Sequence, residues 1–150
     1  MMKKSFLILL LLATFACKKK SDDSTTATLS GKWSTGGYDI ILYNSSGAVV
    51  RHSVADAIKS YWNFTDTEIQ FSNIANSQTS TSTYRVKQSS KGRQLIIDNP
   101  SMTGNTNWRI ETETANQMQI SAEITDKASL RYGNNQVAAV GKQFIYLSKE

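Results

Sequence analysis

The chain has 150 residues, which predicts one domain with appendages, and its formal net charge is +5. Five lysines lie before residue 25, and from there on 12 Lys and Arg stand against 10 Asp and Glu, a balance too even to favour nucleic-acid binding. One cysteine allows neither an internal disulfide nor a zinc site made of several cysteines. With one histidine and dispersed carboxylates, we expect no metal site and no cofactor.

Residues 1–16 have the three-part layout of a secretory signal peptide. A basic start at Lys3 and Lys4 is followed by an apolar run from Phe6 to Leu12 and then by small residues. The apolar run is shorter than the roughly 20 residues that a membrane-spanning helix needs. We therefore predict a signal peptide over 1–16, with a retained membrane-anchoring helix as the alternative.

Cys17 stands where the apolar run meets a charged one, directly after Ala16. The stretch from Thr14 to Cys17 resembles the lipobox of bacterial lipoproteins, in which the cysteine becomes the acylated first residue of the mature chain. The resemblance implies that Cys17 carries the lipid, palmitate included, and each methylene buried in a membrane adds about 0.8 kcal/mol of anchoring free energy. The alternative is a free thiol without a role.

Residues 17–28 are charged and rich in serine and threonine, which predicts a flexible tether. The run "KKKSDDS" after Cys17 resembles the export signal of surface lipoproteins in the Bacteroidetes. The resemblance implies a lipid anchor in the outer membrane of the cell envelope. It leaves open whether the protein faces the cell surface or the periplasm.

The folded domain is predicted to begin at Leu29, where "LSGKW" leads toward the strand-like run "YDIILY" and the turn signal "NSSG". The next stretch, "SVADAIKS", begins with Ser53 and has Asp56 three residues later. This weak capping-box pattern predicts one short helix near residues 53–60. The alternative is that Ala48 to Arg51 form a strand and "SVADAIKS" is its loop.

Three hairpins follow, each made of two alternating runs around turn residues. "YWNF" and "EIQF" flank "TDT", "YRVKQ" and "QLIID" flank "SSKGR" with Gly92 at the turn, and "WRIETET" and "MQISAEI" are connected through "ETANQ". Alternation assigns "WRIETET" an inward face and an outward face: Trp108, Ile110 and Thr112 inward, and Arg109, Glu111 and Glu113 outward. A final strand, "KQFIYLSK", carries Phe144 and Tyr146 on one face.

This pattern predicts an all-β domain of about eight strands, mostly neighbours in sequence. Such meanders form either a closed up-and-down antiparallel barrel or a sandwich. Closure removes exposed strand edges, and the interior of an eight-stranded barrel holds either side chains or one small ligand.

The beginning of the domain also resembles that of lipocalins and lipocalin-like domains. Gly31 and Trp33 in "LSGKW" match the Gly-x-Trp motif of the first lipocalin strand. The order of the later runs is similar as well: an aromatic hairpin, a Trp-x-Ile strand and a closing aromatic strand. The resemblance implies a lipocalin-like barrel over residues 29–150 and supports the fold more than an activity.

The candidate cavity or core residues are the aromatic side chains predicted to point inward: Trp33, Trp62, Phe64, Phe71, Tyr84 and Trp108. In lipocalin-like folds the tryptophan of the motif packs across the closed end, which implies a structural role for Trp33. Aromatic side chains bury large areas in a filled core and in a cavity wall alike. The sequence therefore leaves both a filled core and a ligand cavity open.

The sequence shows no group of residues typical of a catalytic site, and we expect that the protein is not an enzyme. There is no Gly-x-Ser-x-Gly and no Gly-rich phosphate loop, and the lone His52 has no partner visible in the sequence. Glu111 and Glu113 are interpreted as charge partners beside Arg109 on a solvent face.

The sequence therefore predicts a lipid-anchored lipocalin-like protein of the cell envelope that binds a small apolar or amphipathic ligand in its barrel. The alternative is an accessory or adaptor lipoprotein whose barrel is a scaffold for contacts with another envelope protein.

Overall fold

The computed structural model describes residues 29–55 and 59–150. The predicted signal peptide, Cys17 and the tether over 17–28 lie outside the described residues. Within these two ranges, no helix is long and apolar enough to cross a membrane.

The strands are β1 Gly31–Tyr43, β2 Val49–Ala55, β3 Ser60–Phe64, β4 Glu68–Asn73, β5 Gln78–Ser89, β6 Gly92–Ile97, β7 Asn107–Glu113, β8 Gln117–Glu123, β9 Arg131–Tyr132, β10 Gln136–Val137 and β11 Val140–Lys149. One 3₁₀ turn covers Pro100–Met102.

Eight strands form a closed antiparallel barrel, which confirms the predicted all-β fold and excludes the sandwich. The order is β1-β3-β4-β5-β6-β7-β8-β11, and β11 pairs with β1 to close the ring. The three predicted hairpins are β3–β4, β5–β6 and β7–β8. Each is joined by a short turn, and Gly92 adopts the positive φ of +104° that the tight β5–β6 connection requires.

The helix predicted near residues 53–60 is wrong for Ser53 to Ala55, which belong to β2. Residues 56–58 lie outside the described residues. The first part of β1 pairs with β3, and its second part pairs with β2 from Tyr38↔Ala55 onward. Without β2, the backbone groups along one edge of this second part of β1 would lose their hydrogen-bond partners. The hydrogen bonds between β1 and β2 therefore outweigh the weak capping-box signal for a helix.

The interior is a single apolar core built from alternate residues of the eight strands. All six aromatic residues singled out in the sequence are buried in it, with exposures between 0 and 7 %. The sequence predicts Phe144 and Tyr146 on one face of the last strand. Tyr146 lies on the outer wall of the barrel, while Ile145 and Leu147 point inward.

The predicted alternation of β7 fails at its end, because the register against β8 shifts between Ile110 and Thr112. Thr112 stands opposite Gln119, while Glu113 stands opposite the buried Met118. Glu113 therefore points inward and Thr112 outward, the reverse of the prediction. A bulge adds one residue to a strand, and every later side chain then changes face.

The barrel has two different ends. The closed end holds the start of β1, the end of β11 and the β3–β4, β5–β6 and β7–β8 turns. At the other end, the mouth, the connection Asp98–Thr106 completes the wall beside β5. Its backbone N–H groups at Asp98 and Asn99 donate to Thr83 O and Ser82 Oγ, at 3.1 and 2.8 Å.

Candidate functional site

A cavity of about 250 Å³ opens at the mouth of the barrel. We call it the mouth cavity. It is lined by Thr35, Gly37, Tyr38, Ser60, Trp62, Phe71, Asn73, Thr103, Gln143 and Ile145. Four strands and the Asp98–Thr106 connection supply these residues, so the cavity exists only in the closed barrel.

The floor of the mouth cavity is apolar and rigid. Trp62 packs edge-on against Phe71, with ring centroids 5.1 Å apart, and against Trp108 at 6.4 Å. Ile145 is buried beside them, and Tyr38 packs partly buried against the same cluster. An aromatic edge-to-face cluster of this kind favours apolar or aromatic ligand groups.

The rim of the mouth cavity is polar. The Ser60 N–H donates to Thr35 Oγ1 at 2.9 Å, which joins β3 to β1 at the rim. Thr103 is 9 % exposed, and its hydroxyl donates to the Asn105 carbonyl at 2.9 Å. Asn73 and Gln143 add amide groups. A few polar groups around an apolar floor orient a ligand that has both kinds of surface.

Buried side chains fill the closed end. Trp33 is 2 % exposed and its indole N–H donates to the Leu29 carbonyl at 2.9 Å. The Lys149 ammonium lies 5.4 Å from the centroid of the Trp33 ring, within cation–π range. Arg93 and Glu113 form an ion pair here, with side-chain exposures of 28 and 24 %. Arg93 Nη2 is buried without a hydrogen-bond partner among the described residues.

Two more of the candidate aromatics belong to the closed end and do not line the mouth cavity. Phe64 packs edge-on against Tyr84, with centroids 5.1 Å apart. The Tyr84 hydroxyl donates to the Thr65 carbonyl at 2.7 Å and so fastens the β3–β4 turn. Burial, with a smaller contribution from the charge of Asp66, raises the pKa of Tyr84. Of the six candidates, only Trp62 and Phe71 line the mouth cavity.

Trp108 forms part of a second, larger depression of about 550 Å³ on the outer wall. We call it the seam pocket, because it lies where β7 and β8 separate. It is lined by Lys91, Gln94, Pro100, Gly104, Asn105, Thr106, Asn107, Trp108, Arg109, Ser121, Ala122, Glu123, Thr125 and Lys142. Nothing in the sequence reasoning predicted it, since its residues come from four separate strands and their connections.

The sequence did carry a signal for one missed residue of the mouth cavity. Alternation along "KQFIYLSK" puts Gln143 on the same face as Ile145 and Leu147, opposite Phe144 and Tyr146, and that face is inward. Thr103 carried no such signal, because its place depends on how the connection folds back over the mouth.

The lone histidine has partners on the outer wall of the barrel. His52 Nε2 lies 3.2 Å from Asp39 Oδ2, and the Tyr146 hydroxyl donates to the same oxygen at 2.9 Å. Partial burial, the hydrogen bond to Asp39 and the charge of Asp39 raise the pKa of Tyr146. Within the described part of the chain, these bonds join His52, Asp39 and Tyr146 without a serine or cysteine, and we interpret the cluster as a tie between β1, β2 and β11.

The two carboxylates of β7 have different partners. Glu111 Oε2 lies 3.3 Å from Arg109 Nε on the outer wall, and Glu111 Oε1 accepts from the Ser121 hydroxyl at 2.6 Å. Glu113 pairs with Arg93 at the closed end, where both side chains are partly exposed. Among the described residues, no group of three or more His, Cys, Asp or Glu side chains could hold a metal ion.

Comparison of the chain with protein-family models, with curated proteins and with solved structures gives no match.

Proposed function

We propose that this protein binds a small amphipathic molecule in the mouth cavity of its barrel. The observation that carries the proposal is the combination of an aromatic floor, formed by Trp62 and Phe71, with a polar rim. At about 250 Å³ the cavity is smaller than the roughly 300–1,000 Å³ typical of sites for drug-sized ligands. The ligand is therefore small: a short acyl chain or a single aromatic ring with a polar group.

The three tryptophans make a direct test possible, because Trp62 lines the mouth cavity while Trp33 lies at the closed end and serves as an internal reference. Trp33 lies at the closed end, Trp62 in the mouth cavity and Trp108 at the seam pocket. The full-length chain, in lipid nanodiscs and labelled with ¹⁵N at its indoles, is titrated with hexanoate, p-cresol and dodecanoate. We expect hexanoate or p-cresol to shift the Trp62 indole resonance most.

A matched pair of variants tests the position of the ligand. Gln143→Phe places a ring in the mouth cavity, while Gln70→Phe makes the same change at an exposed position of β4. Gln143→Phe abolishes the shifts and Gln70→Phe preserves them. If none of the three probes moves the Trp62 resonance of the parent protein, the ligand-binding proposal fails.

We also propose that the chain is a lipid-anchored protein of the bacterial cell envelope, held in the outer membrane by acylated Cys17. Support comes from the signal-peptide layout of residues 1–16 and the lipobox-like stretch that ends at Cys17. The Cys17→Ser variant should lose both acylation and cleavage before residue 17. A variant that is still processed and still found in the membrane fraction would contradict the anchor.

An adaptor role is the second candidate, favoured by apolar side chains on the outer wall. Val49 and Val54 of β2 and Val140 and Tyr146 of β11 are 38 to 70 % exposed, on the two strands that flank the second part of β1. A stable envelope-protein partner, recovered with the parent chain but not with a Val54→Lys variant, would support this role. It would replace the first candidate only if the mouth cavity also bound none of its probes.

A further inference from the structure

We infer that the seam pocket is a second binding site, separate from the mouth cavity, for a small hydroxyl-rich anion whose charged group is a carboxylate or a phosphate. The inference does not depend on the proposed function, because the two sites share no lining residue.

The pocket exists because the β7–β8 ladder stops early. The register runs from Glu113↔Met118 to Arg109↔Ser121, although β7 begins at Asn107 and β8 continues to Glu123. Asn107 and Glu123 pair with β6 and β11 but not with each other, and both line the pocket. Backbone groups at such an opening keep unused donors and acceptors, which a polar ligand can satisfy.

The charges around the pocket favour an anion. Lys91, Arg109 and Lys142 line it together with a single carboxylate, Glu123. Among the described residues, neither Lys91 nor Lys142 takes part in an ion pair within 4.0 Å. Lys142 stands opposite Glu123 in the β8–β11 ladder without pairing with it, so its ammonium group is available to a ligand.

Arg109 is placed to bind the charged group. Among the described residues, Glu111 contacts only its Nε, at 3.3 Å, and its Nη1 and Nη2 take part in no ion pair. These two groups form the planar fork that binds a carboxylate or a phosphate through two parallel hydrogen bonds.

The remaining lining fits hydroxyl groups. The amides of Gln94, Asn105 and Asn107 offer both donors and acceptors, as sugar hydroxyls require. Trp108, also among the lining residues, is fully buried, and its indole N–H is already engaged, donating to the Asn105 carbonyl at 3.1 Å. The volume of about 550 Å³ is within the range for a single-ring ligand with polar substituents.

The test uses four probes and the same indole resonances of the full-length chain. Glucuronate and glucose 6-phosphate carry hydroxyls with a carboxylate or a phosphate, glucose carries hydroxyls alone, and acetate carries charge alone. We expect one or both of the sugar anions to bind and to shift Trp108 most, with little effect on Trp33. Which of the two binds more tightly identifies the charged group.

Three variants locate the site. Arg109→Gln removes the fork and should weaken binding of the sugar anions by about tenfold or more. Glu111→Gln keeps an acceptor for Ser121 but removes the competing charge, and should tighten binding by roughly threefold. Lys127→Gln, at an exposed lysine outside the pocket, should leave binding unchanged.

Three results would overturn the inference. These are no binding of either sugar anion, binding of glucose as tight as that of glucuronate, and an Arg109→Gln variant that binds like the parent. Failure of the proposed function would give a different result. In that case hexanoate and p-cresol would not shift the Trp62 resonance, whatever the sugar anions do.

Discussion

The same strands form both ends of the barrel, but side chains fill the closed end while the mouth holds a cavity. At the closed end, Trp33 and Leu29 fill the space between the strands, and the Arg93–Glu113 pair closes it. At the mouth, the corresponding part of β1 carries Thr35, Gly36 and Gly37, and β3 begins with Ser60. Large side chains are replaced by small ones within four residues of β1, so a cavity remains.

This contrast teaches that side-chain volume, rather than strand number, decides whether a small barrel is filled. Eight strands enclose an interior just wide enough for side chains or for one small ligand. Protein interiors are packed to the density of organic crystals, so a missing ring leaves space that its neighbours do not fill. The difference between the ends predicts different responses to substitution.

The largest expected effect is at the closed end. Trp33→Ala removes a fully enclosed ring together with its hydrogen bond to Leu29, and should lower the free energy of unfolding by about 3–5 kcal/mol. Urea unfolding followed by circular dichroism measures this difference. At the mouth, Gln143→Phe adds a ring to existing space and should change the free energy of unfolding by no more than about 1 kcal/mol. Equal losses in the two variants would remove the distinction between the ends.

A smaller effect is expected from the inward ion pair. Glu113→Ala leaves the partly buried Arg93 without its carboxylate and should cost about 1–3 kcal/mol. The matched change on the outer wall, Glu111→Ala, removes an ion pair with the exposed Arg109 and should cost about 0–1 kcal/mol. The same urea titration compares them. A larger cost for Glu111→Ala would show that the bulge in β7 does not turn Glu113 inward.

The smallest effect at neutral pH is expected from Tyr84→Phe, which removes the hydrogen bond to Thr65 at a cost of about 1 kcal/mol. The pH dependence is more informative. Because folding raises the pKa of Tyr84 above its ordinary value of 10.0, its contribution is fully present below pH 10 and is lost as the pH rises through the folded-state pKa.

Thermal unfolding between pH 8 and pH 11.5 tests this dependence. The parent should lose stability above pH 10, and Tyr84→Phe should lose less. Tyr146→Phe provides a comparison on the outer wall, where the pKa of the tyrosine is raised as well. A parent and a Tyr84→Phe variant with the same alkaline loss would mean that the Tyr84 hydroxyl does not fasten the closed end.

The sequence by itself determined the all-β class, the three hairpins and the inward aromatic face. Alternation of apolar and polar residues is a local signal, since successive side chains of a strand point to opposite sides. It placed Trp62, Phe64 and Phe71 in the core without any knowledge of strand order. Gly92 likewise marked the β5–β6 turn, because its backbone conformation is open to glycine and strained for other residues.

Only the tertiary structure decided the contents of the barrel and the openings in its wall. The bulge before Thr112 changes the face of Glu113, and β2 takes residues that local signals gave to a helix. The mouth cavity and the seam pocket each combine residues from several strands, so their existence depends on closure and register. Those are non-local properties: they follow from which strand edges meet, and no short stretch of sequence contains both edges.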